Sequence, residues 1–292
     1  MKIMPLVLTA AVLTGLPLIA QSDEPGLKIV AAENFYGDMA QQIAGPEASV
    51  SSILTNPNQD PHDFEASPST ARLIADAKLV IYNGADYDPW IESLLKASKS
   101  ADRRMIVAAK LMNRKSGDNP HLWYDPATMP KVASALAVEL ERMDPGHAAD
   151  YENRLKAYLA SLQPLTDKIA ELRQKYPGID VTATEPVFGY MAQALGFRMR
   201  NESFQISVMN GTEPSSSDVA AFEDDLRSHK VKVLFYNSQV TDDLTGRLQK
   251  LARDSKIPVV GVSETEPAGL DFRNWMLNQL VALDKALAGA GS

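Results

Sequence analysis

The stretch Lys28–Leu54, with the sequence KIVAAENFYGDMAQQIAGPEASVSSIL, decides the fold class of the chain. Its first part, Lys28–Ala32, is a short apolar run of the kind that forms a buried strand. Phe35–Ile43 has the pattern of a helix, and Gly45-Pro46 ends it. Val50–Leu54 then indicates a second strand. A strand, a helix and a second strand in this order predict a βαβ unit with parallel strands.

The same alternation continues through the rest of the chain. We predict further strands at Leu79–Tyr82, Met105–Val107, Val181–Thr184, Phe197–Arg200, Val231–Tyr236 and Pro258–Val262. Between and after them we predict helices at Pro68–Ala77, Trp90–Lys96, Phe188–Leu195, Ser216–Ser228, Asp242–Ser255 and Phe272–Leu287. This pattern predicts an α/β fold of two lobes, each with a mostly parallel sheet flanked by helices.

A different kind of segment lies between the two halves. From about Pro145 to Tyr176, apolar residues recur at helical spacing and charged residues fill the opposite face. Pro164 either kinks this helix or marks a junction between two helices. We therefore expect a long rigid helix that joins the lobes. The predicted organisation is a signal peptide at 1–22, an N-terminal lobe at 23–144, a linking helix at 145–177 and a C-terminal lobe at 178–292.

The amino terminus and the composition indicate the compartment. A short positive start precedes a mostly apolar run from Ile3 to Ala20, and Ala20 and Ser22 offer cleavage points for a signal peptidase. The alternative, an anchor helix, is disfavoured by the two prolines in the run. The chain has no cysteine, so we expect neither disulfides nor a lipid-modified cysteine, and we expect a soluble periplasmic protein. A net charge of −8 without a basic block disfavours nucleic acid as a partner.

Two of the four histidines stand directly after a proline and near acidic residues. His62 lies in Asp60-Pro61-His62-Asp63, and His121 lies in Asn119-Pro120-His121. Proline fixes one backbone dihedral, so each imidazole is presented from a stiff loop, as a metal ligand requires. The alternative is that both rings only stack and form hydrogen bonds. His147 and His229 lie at predicted helix ends, and we assign neither to a site.

Carboxylates follow two predicted strands of the second half. Thr184 leads into Glu185, and Val262 leads into Ser263-Glu264-Thr265-Glu266. Ligands in open α/β sheets bind beyond the carboxyl ends of the strands, so these residues are candidates to meet the histidines between the lobes. Imidazole with carboxylate favours a divalent first-row metal, whereas calcium and magnesium prefer oxygen-only shells. Glu185 could instead be a helix-start carboxylate, and Glu264 a solvated loop charge.

The motifs at these positions resemble those of a known family. They are Asp60-Pro61-His62-Asp63-Phe64 with Pro68-Ser69, Val80-Ile81-Tyr82-Asn83-Gly84 with Trp90, Pro120-His121-Leu122-Trp123 with Asp125-Pro126, and Phe188-Gly189-Tyr190. In this order, and over nearly the whole mature chain, they resemble the periplasmic metal-binding components of ABC importers. The similar proteins are the zinc and manganese type, with a rigid linking helix between two lobes.

The resemblance implies a four-ligand site shared between the lobes. His62 and His121 would be the ligands of the amino-terminal lobe, and Glu185 stands where zinc members commonly carry histidine, as in manganese-type members. The fourth ligand would be Glu264, with Glu266 as the alternative. The long histidine- and acid-rich loop of some zinc members is absent, since five residues separate His62 from Pro68. Asp63 and Asp125 are candidates to accept hydrogen bonds from the imidazoles.

The function that the resemblance implies is metal import without catalysis. We expect a monomer that captures Mn²⁺ or Fe²⁺, and also Zn²⁺, and delivers it to a membrane permease with its ATPase. Binding should weaken as the pH falls through ~6.5, because ligating histidines must lose their protons. The alternatives are a zinc-specific importer component, a binder of organic ligands, and a metallohydrolase with Glu266 or Asp63 as base. No nucleophile elbow or His-Glu-x-x-His helix supports the hydrolase.

Overall fold

The computed structural model describes residues 26–240 and 242–289, so the predicted signal peptide at 1–22 lies outside the described residues. The described chain forms two lobes, each built on a four-stranded parallel sheet, which confirms the predicted fold class. The first sheet has the order β2-β1-β3-β4, with strands at Leu27–Glu33 (β1), Ala48–Leu54 (β2), Leu79–Tyr82 (β3) and Arg104–Val107 (β4). The second has the order β6-β5-β7-β8, with strands at Asp180–Ala183 (β5), Arg198–Arg200 (β6), Leu234–Asn237 (β7) and Val259–Val262 (β8).

Helices follow or connect the strands of both sheets. Those of the first lobe are Asn34–Ala44 (α1), Pro68–Asp76 (α2), Pro89–Ala97 (α3), Ala108–Leu111 (α4) and Thr128–Met143 (α5). Ala148–Ser161 (α6) and Gln163–Lys175 (α7) lie between the sheets in the chain. Those of the second lobe are Gly189–Ala194 (α8), Glu202–Met209 (α9), Ser216–Arg227 (α10), Asp243–Asp254 (α11) and Phe272–Gly289 (α12). No helix within residues 26–240 and 242–289 has the length and apolar character needed to cross a bilayer.

The predicted linking helix is two helices in series. α6 ends at Ser161, α7 begins at Gln163, and Pro164 lies in the first turn of α7. Proline is tolerated there because the first backbone N–H groups of a helix have no partner within the helix. Of the two alternatives for Pro164, the structure therefore has the junction. Leu165, Ile169 and Leu172 form the buried side of α7.

Aromatic side chains join the two lobes in one continuous apolar core. Phe35 of α1 lies with its ring centroid 4.7 Å from that of Trp123 and 5.9 Å from that of Trp275 in α12. Tyr124 is 5.7 Å from Phe188, which precedes α8. All of these rings are buried. We call the zone in which the two lobes contact each other the seam. Because protein interiors are close-packed, these aromatic contacts resist sliding of one lobe on the other.

The carboxyl end of α1 is held by an arginine from α6. Arg154 donates to both carboxylate oxygens of Glu47, at 2.7 and 3.0 Å, and to the carbonyl oxygen of Ala44 at 2.8 Å. Its guanidinium lies against Gly45, where φ is +68° and a Cβ would come within 2.4 Å of it. The linking segment is therefore fastened to the first lobe by charge-assisted hydrogen bonds as well as by apolar packing.

We expect Arg154→Ala to lower the free energy of unfolding by about 1–3 kcal/mol, because a charged hydrogen-bond donor to a carboxylate and a helix carbonyl is lost. The measurement is urea unfolding of the mature protein. Lys156→Ala, which removes the exposed Lys156–Glu152 pair of the same helix, is the matched control and should stay within about 0.5 kcal/mol of the wild type. Equal effects of the two substitutions would contradict the fastening role.

Candidate metal centre

His62 is presented by a short 3-10 turn, Pro61–Asp63, that follows β2. The Asp60 carboxylate accepts a hydrogen bond from the backbone N–H of His62 at 2.9 Å. Pro61 fixes φ in the first position of the turn. The Asp-Pro-His sequence thus builds a rigid support for the imidazole, as the sequence predicted.

His121 lies in a loop that the end of β3 holds in place. Asn83, which follows β3, donates from Nδ2 to the carbonyl oxygen of Pro120 at 2.7 Å. The rings of Tyr87 and Trp123 stand edge-on to the imidazole, with centroids 6.0 and 5.4 Å away. The His121 side chain is fully buried. Its Nδ1 lies 2.7 Å from Oδ1 of Asn119, which leaves Nε2 to face the interior of the site.

Glu264 brings a carboxylate from the second lobe to both imidazoles. It lies two residues beyond β8, and its backbone N–H donates to Oε1 of Gln239 at 2.5 Å. Its Oε2 is 3.2 Å from Nε2 of His121 and 3.5 Å from Nε2 of His62. Among the described residues, this trio is the one group of three or more potential metal ligands whose donor atoms lie within 4.8 Å of one another.

The three converging atoms are buried and have no hydrogen-bond partner. They are Nε2 of His62, Nε2 of His121 and Oε2 of Glu264. Buried polar atoms are nearly always paired, because an unpaired one costs about 1–3 kcal/mol. A divalent cation among them would satisfy all three at once. Two imidazole nitrogens with a carboxylate oxygen are donors suited to zinc, iron(II) or manganese.

Glu185 is near this trio but does not belong to it. It lies two residues beyond β5 and is 3 % exposed. Asn237, the last residue of β7, donates from Nδ2 to Oε2 of Glu185 at 2.5 Å and to Oε1 of Glu264 at 2.6 Å. One amide therefore holds both carboxylates side by side. The structure brings three of the four predicted ligands together and connects the fourth through Asn237.

Glu266, the alternative to Glu264, points elsewhere. Its backbone exchanges two hydrogen bonds with the Asn34 side chain, and its carboxyl group lies near Asp38 and Asp271. Of the two glutamates that the sequence left open, Glu264 is the one beside the histidines. His147 bonds to Asp144 at the surface, and His229 is exposed, so neither belongs to the trio.

The residues that orient the site differ from those that the sequence suggested. The Asp125 carboxylate accepts a hydrogen bond from the backbone N–H of Ala127. Within the described residues, Asp63 forms no hydrogen bond with an imidazole. Asn119 takes that role for His121. The sequence did contain a signal, because Asn119-Pro120-His121 repeats the spacing of Asp60-Pro61-His62. Asn237 could have been found by applying the strand-end rule to β7 as well.

Burial and neighbouring charges set the protonation states. Burial lowers the pKa of His121, against the opposite effect of Glu264, so the ring is neutral at pH 7. Burial alone would raise the pKa of Glu264, but the neighbouring imidazoles hold that pKa below its usual range. Burial and the charge of Glu264 raise the pKa of Glu185 to about 8. The site thus offers a neutral imidazole and an ionised carboxylate, as ligation requires, beside a protonated Glu185.

His62 lines two cavities. One, of about 590 Å³, runs between the Asn119 loop and α9. The other, of about 850 Å³, carries more acidic than basic side chains: Asp60, Asp63, Glu185, Glu213, Asp242 and Asp243, against Arg247. A cation that approaches by the second route meets a favourable electrostatic field.

Comparison with known proteins gives the same picture. A family model described as zinc-uptake complex component A, periplasmic (ZnuA), matches residues 29–286. The manganese-binding lipoprotein MntA of Halalkalibacterium halodurans is 25% identical over an alignment of 255 positions, which covers 85% of this chain and 82% of the relative. The high-affinity zinc uptake system protein ZnuA of Bacillus subtilis is 24% identical over an alignment of 295 positions, which covers 91% of this chain and 90% of the relative.

Solved structures agree in fold. The periplasmic zinc binding protein TroA from Treponema pallidum superposes with a TM-score of 0.77 at 18% identity, over 89% of this chain and 99% of its own. A Mn-bound periplasmic metal binding protein from Candidatus Liberibacter asiaticus gives a TM-score of 0.72 at 19% identity, with the same coverage. The two-lobed arrangement is therefore shared with these proteins.

We expect Glu185 to make the metal-free protein less stable as the pH rises from about 5 to 8. Its pKa is about 8 in the folded chain against an ordinary value of 4.5, so the folded state binds one more proton than the unfolded state in this range. Glu185→Gln removes that dependence. The difference in free energy of unfolding between variant and wild type should therefore change by up to a few kcal/mol from pH 5 to 8.

The measurement is urea unfolding of chelator-stripped protein at several pH values. Glu213→Gln, an exposed substitution in the same lobe, is the control and should follow the wild-type profile. Parallel profiles for Glu185→Gln and the wild type would mean that Glu185 is ionised in the folded chain at neutral pH.

Proposed function

The chain belongs to the family of periplasmic zinc-uptake components, and from that premise we propose that it captures one divalent transition metal ion between its lobes for an ABC importer. The observation that carries the proposal is the convergence of three buried, unpaired donor atoms from His62, His121 and Glu264. Two come from one lobe and one from the other, so a bound ion would bridge the seam. The metal is the cargo of the protein, and no catalytic step is ascribed to it.

We propose Glu185 as the fourth ligand. Its carboxyl group shares the Asn237 amide with Glu264, so a turn of its side chain away from Asn237 would bring it to the same ion. Because its pKa is about 8, the approach of a cation would displace its proton near neutral pH. A site of two imidazoles and two carboxylates is harder in character than one of three imidazoles.

We propose Mn²⁺ or Fe²⁺ as the cargo, with Zn²⁺ also bound. Glu185 in place of a third imidazole supports manganese or iron, since carboxylate oxygen suits the harder ions. Raw affinity nevertheless favours zinc over manganese at almost any site of this kind. Delivery of manganese would therefore depend on coordination geometry and on which metal is available. A zinc-specific component is the alternative, and membership of the zinc-uptake family favours it.

The test is a thermal unfolding titration of chelator-stripped mature protein with Mn²⁺, Zn²⁺ and, without oxygen, Fe²⁺. A ligand that binds only the folded state stabilises it by about 2.7 kcal/mol at a hundredfold excess over its dissociation constant. We expect a saturable rise of the midpoint with these metals that is lost in His62→Ala. His147→Ala, which changes a surface histidine outside the trio, should keep the full rise.

The order of the metals in this titration ranks the cargo. A rise with zinc alone would favour the zinc-specific alternative. No rise with any of the three metals, or the same rise in His62→Ala, would contradict metal capture at this site.

We further propose that the protein works outside the cytoplasm as a monomer, after cleavage of residues 1–22, and presents its metal to a permease with a separate ATPase. Several relatives are named lipoproteins, whereas this chain has no cysteine to carry a lipid. We expect the exported protein to have the mass of the chain without about 22 residues, with no added lipid. Intact-mass and sedimentation measurements on periplasmic material check both points, and a lipid adduct or a stable dimer would contradict them.

A further inference from the structure

Asn119 connects a ligand of one lobe to the backbone beside a ligand of the other. Its Oδ1 accepts from the backbone N–H of His121 at 3.1 Å and lies 2.7 Å from Nδ1 of the same residue. Its Nδ2 donates across the seam to the carbonyl oxygen of Pro186 at 2.7 Å. Pro186 is the residue directly after Glu185.

The carbonyl group of Pro186 fixes which way the Asn119 amide faces. A carbonyl oxygen can only accept, so the amide must turn its NH₂ group towards Pro186 and its oxygen towards His121. That oxygen can also only accept, so Nδ1 of His121 must carry the hydrogen. Nε2 is then left with a free lone pair, which is the form that binds a metal. A backbone group of the second lobe thus selects the tautomer of a histidine in the first.

Close packing from the second lobe supports this arrangement. Tyr190 donates its hydroxyl hydrogen to the backbone carbonyl oxygen of Asn119 at 2.7 Å. Gly189 approaches so closely that a Cβ at that position would lie 2.9 Å from Nδ2 of Asn119. Both contacts come from the start of α8 and hold the Asn119 loop against Pro186.

Gln239 makes the corresponding connection on the other side of the site. Its Oε1 accepts from the backbone N–H groups of Glu264 and Thr265, at 2.5 and 3.0 Å. Its Nε2 donates across the seam to the carbonyl oxygen of Gln59 at 2.7 Å, three residues before His62. Each lobe therefore contributes one side-chain amide that bonds to two places. It holds a proposed ligand of its own lobe, and it also bonds to the loop that carries a proposed ligand of the other lobe.

We propose that Asn119 and Gln239 are positioning residues that couple contact between the lobes to the ligating geometry of His121 and Glu264. When the lobes separate at this seam, the bond from Asn119 to Pro186 breaks and its amide is free to turn. Nδ1 of His121 then loses its fixed acceptor, and the imidazole can exchange between its tautomers. Opening of the seam would thereby lower the affinity for a metal ion before any ligand has moved far. This inference rests on the proposed metal capture.

Substitutions of Asn119 separate its two contacts. Asn119→Ala removes the acceptor for His121 and the donor to Pro186, whereas Asn119→Asp keeps an acceptor and removes the donor. Asn34→Ala is the matched control, because it removes two hydrogen bonds across the seam, to Glu266, without a contact to an imidazole. Thermal midpoints show first that each variant folds.

Two readouts need no metal. Nitrogen-15 NMR of histidine-labelled protein reports the tautomer of His121. The His121 signals are assigned by their disappearance in His121→Ala. The distance between the lobes is measured with two spin labels. Because the chain has no cysteine, Lys96→Cys and Lys250→Cys provide the only two labelling positions, one on an exposed site of each lobe. The third readout is the rate at which a chelator removes Zn²⁺ from loaded protein.

We expect a single His121 tautomer, with hydrogen on Nδ1, in the wild type, Asn119→Asp and Asn34→Ala, and a mixture in Asn119→Ala. Asn119→Ala should bind Zn²⁺ about 10–100-fold more weakly, as is typical when the partner of a ligating histidine is removed. Gln239→Glu, which keeps the acceptor but loses the donor to Gln59, should widen the label distance and release Zn²⁺ faster.

An unchanged tautomer and affinity in Asn119→Ala would overturn the inference, and so would an equal loss of affinity in Asn34→Ala. Wild-type protein that binds no metal would instead refute the proposed function. The tautomer and label distances, measured without metal, would still show whether Asn119 and Gln239 join the lobes as described.

Discussion

Three buried donor atoms without hydrogen-bond partners are the constraint on which the rest of the structure depends. The Nε2 atoms of His62 and His121 and the Oε2 of Glu264 face one another inside the seam between the lobes. Such atoms persist only where the surrounding structure holds them in place and something else compensates for their lost hydration. The proposed cation would be that compensation, because it would bind all three and offset the penalty that their burial imposes.

The two sheets and the seam supply the rigidity that this requires. Each proposed ligand lies on a short loop that is held by a proline, by a strand-end asparagine or by an amide from the opposite lobe. The aromatic contacts between α1 and α12, with α6 fastened to α1 through Arg154, keep the lobes in register. These contacts oppose wide hinge bending, so we expect release to depend on small displacements where the lobes meet.

The sequence predicted the two parallel sheets and most helices, because the alternation of strands and helices is a local signal. That His62 and His121 share one site was implied by the strand-end rule and the family resemblance. The sequence did not predict α4, α5 or α9, and it placed the start of β7 at Val231, whereas the strand begins at Leu234. Val231 and Val233 are buried although they lie before the strand. The apolar run that begins at Val231 therefore indicated burial of the side chains and not pairing in the sheet. The sequence preferred Glu264 and kept Glu266 as the alternative, because the tertiary contact of the Glu266 backbone with Asn34 is not visible in a local pattern. The cross-lobe bonds of Asn119 and Gln239 depend on lobe placement, which no local pattern encodes.

The coordination shell of a bound ion shows directly whether the two histidines and the glutamates are its ligands. Zinc-edge X-ray absorption on stoichiometrically loaded mature protein counts its nitrogen and oxygen ligands. We expect two imidazole nitrogens at about 2.0–2.1 Å with carboxylate oxygens at about 2.0–2.2 Å. His121→Ala should lose one of the two imidazoles. A shell without imidazole, or one unchanged in His121→Ala, would contradict the assignment of the seam as the metal site.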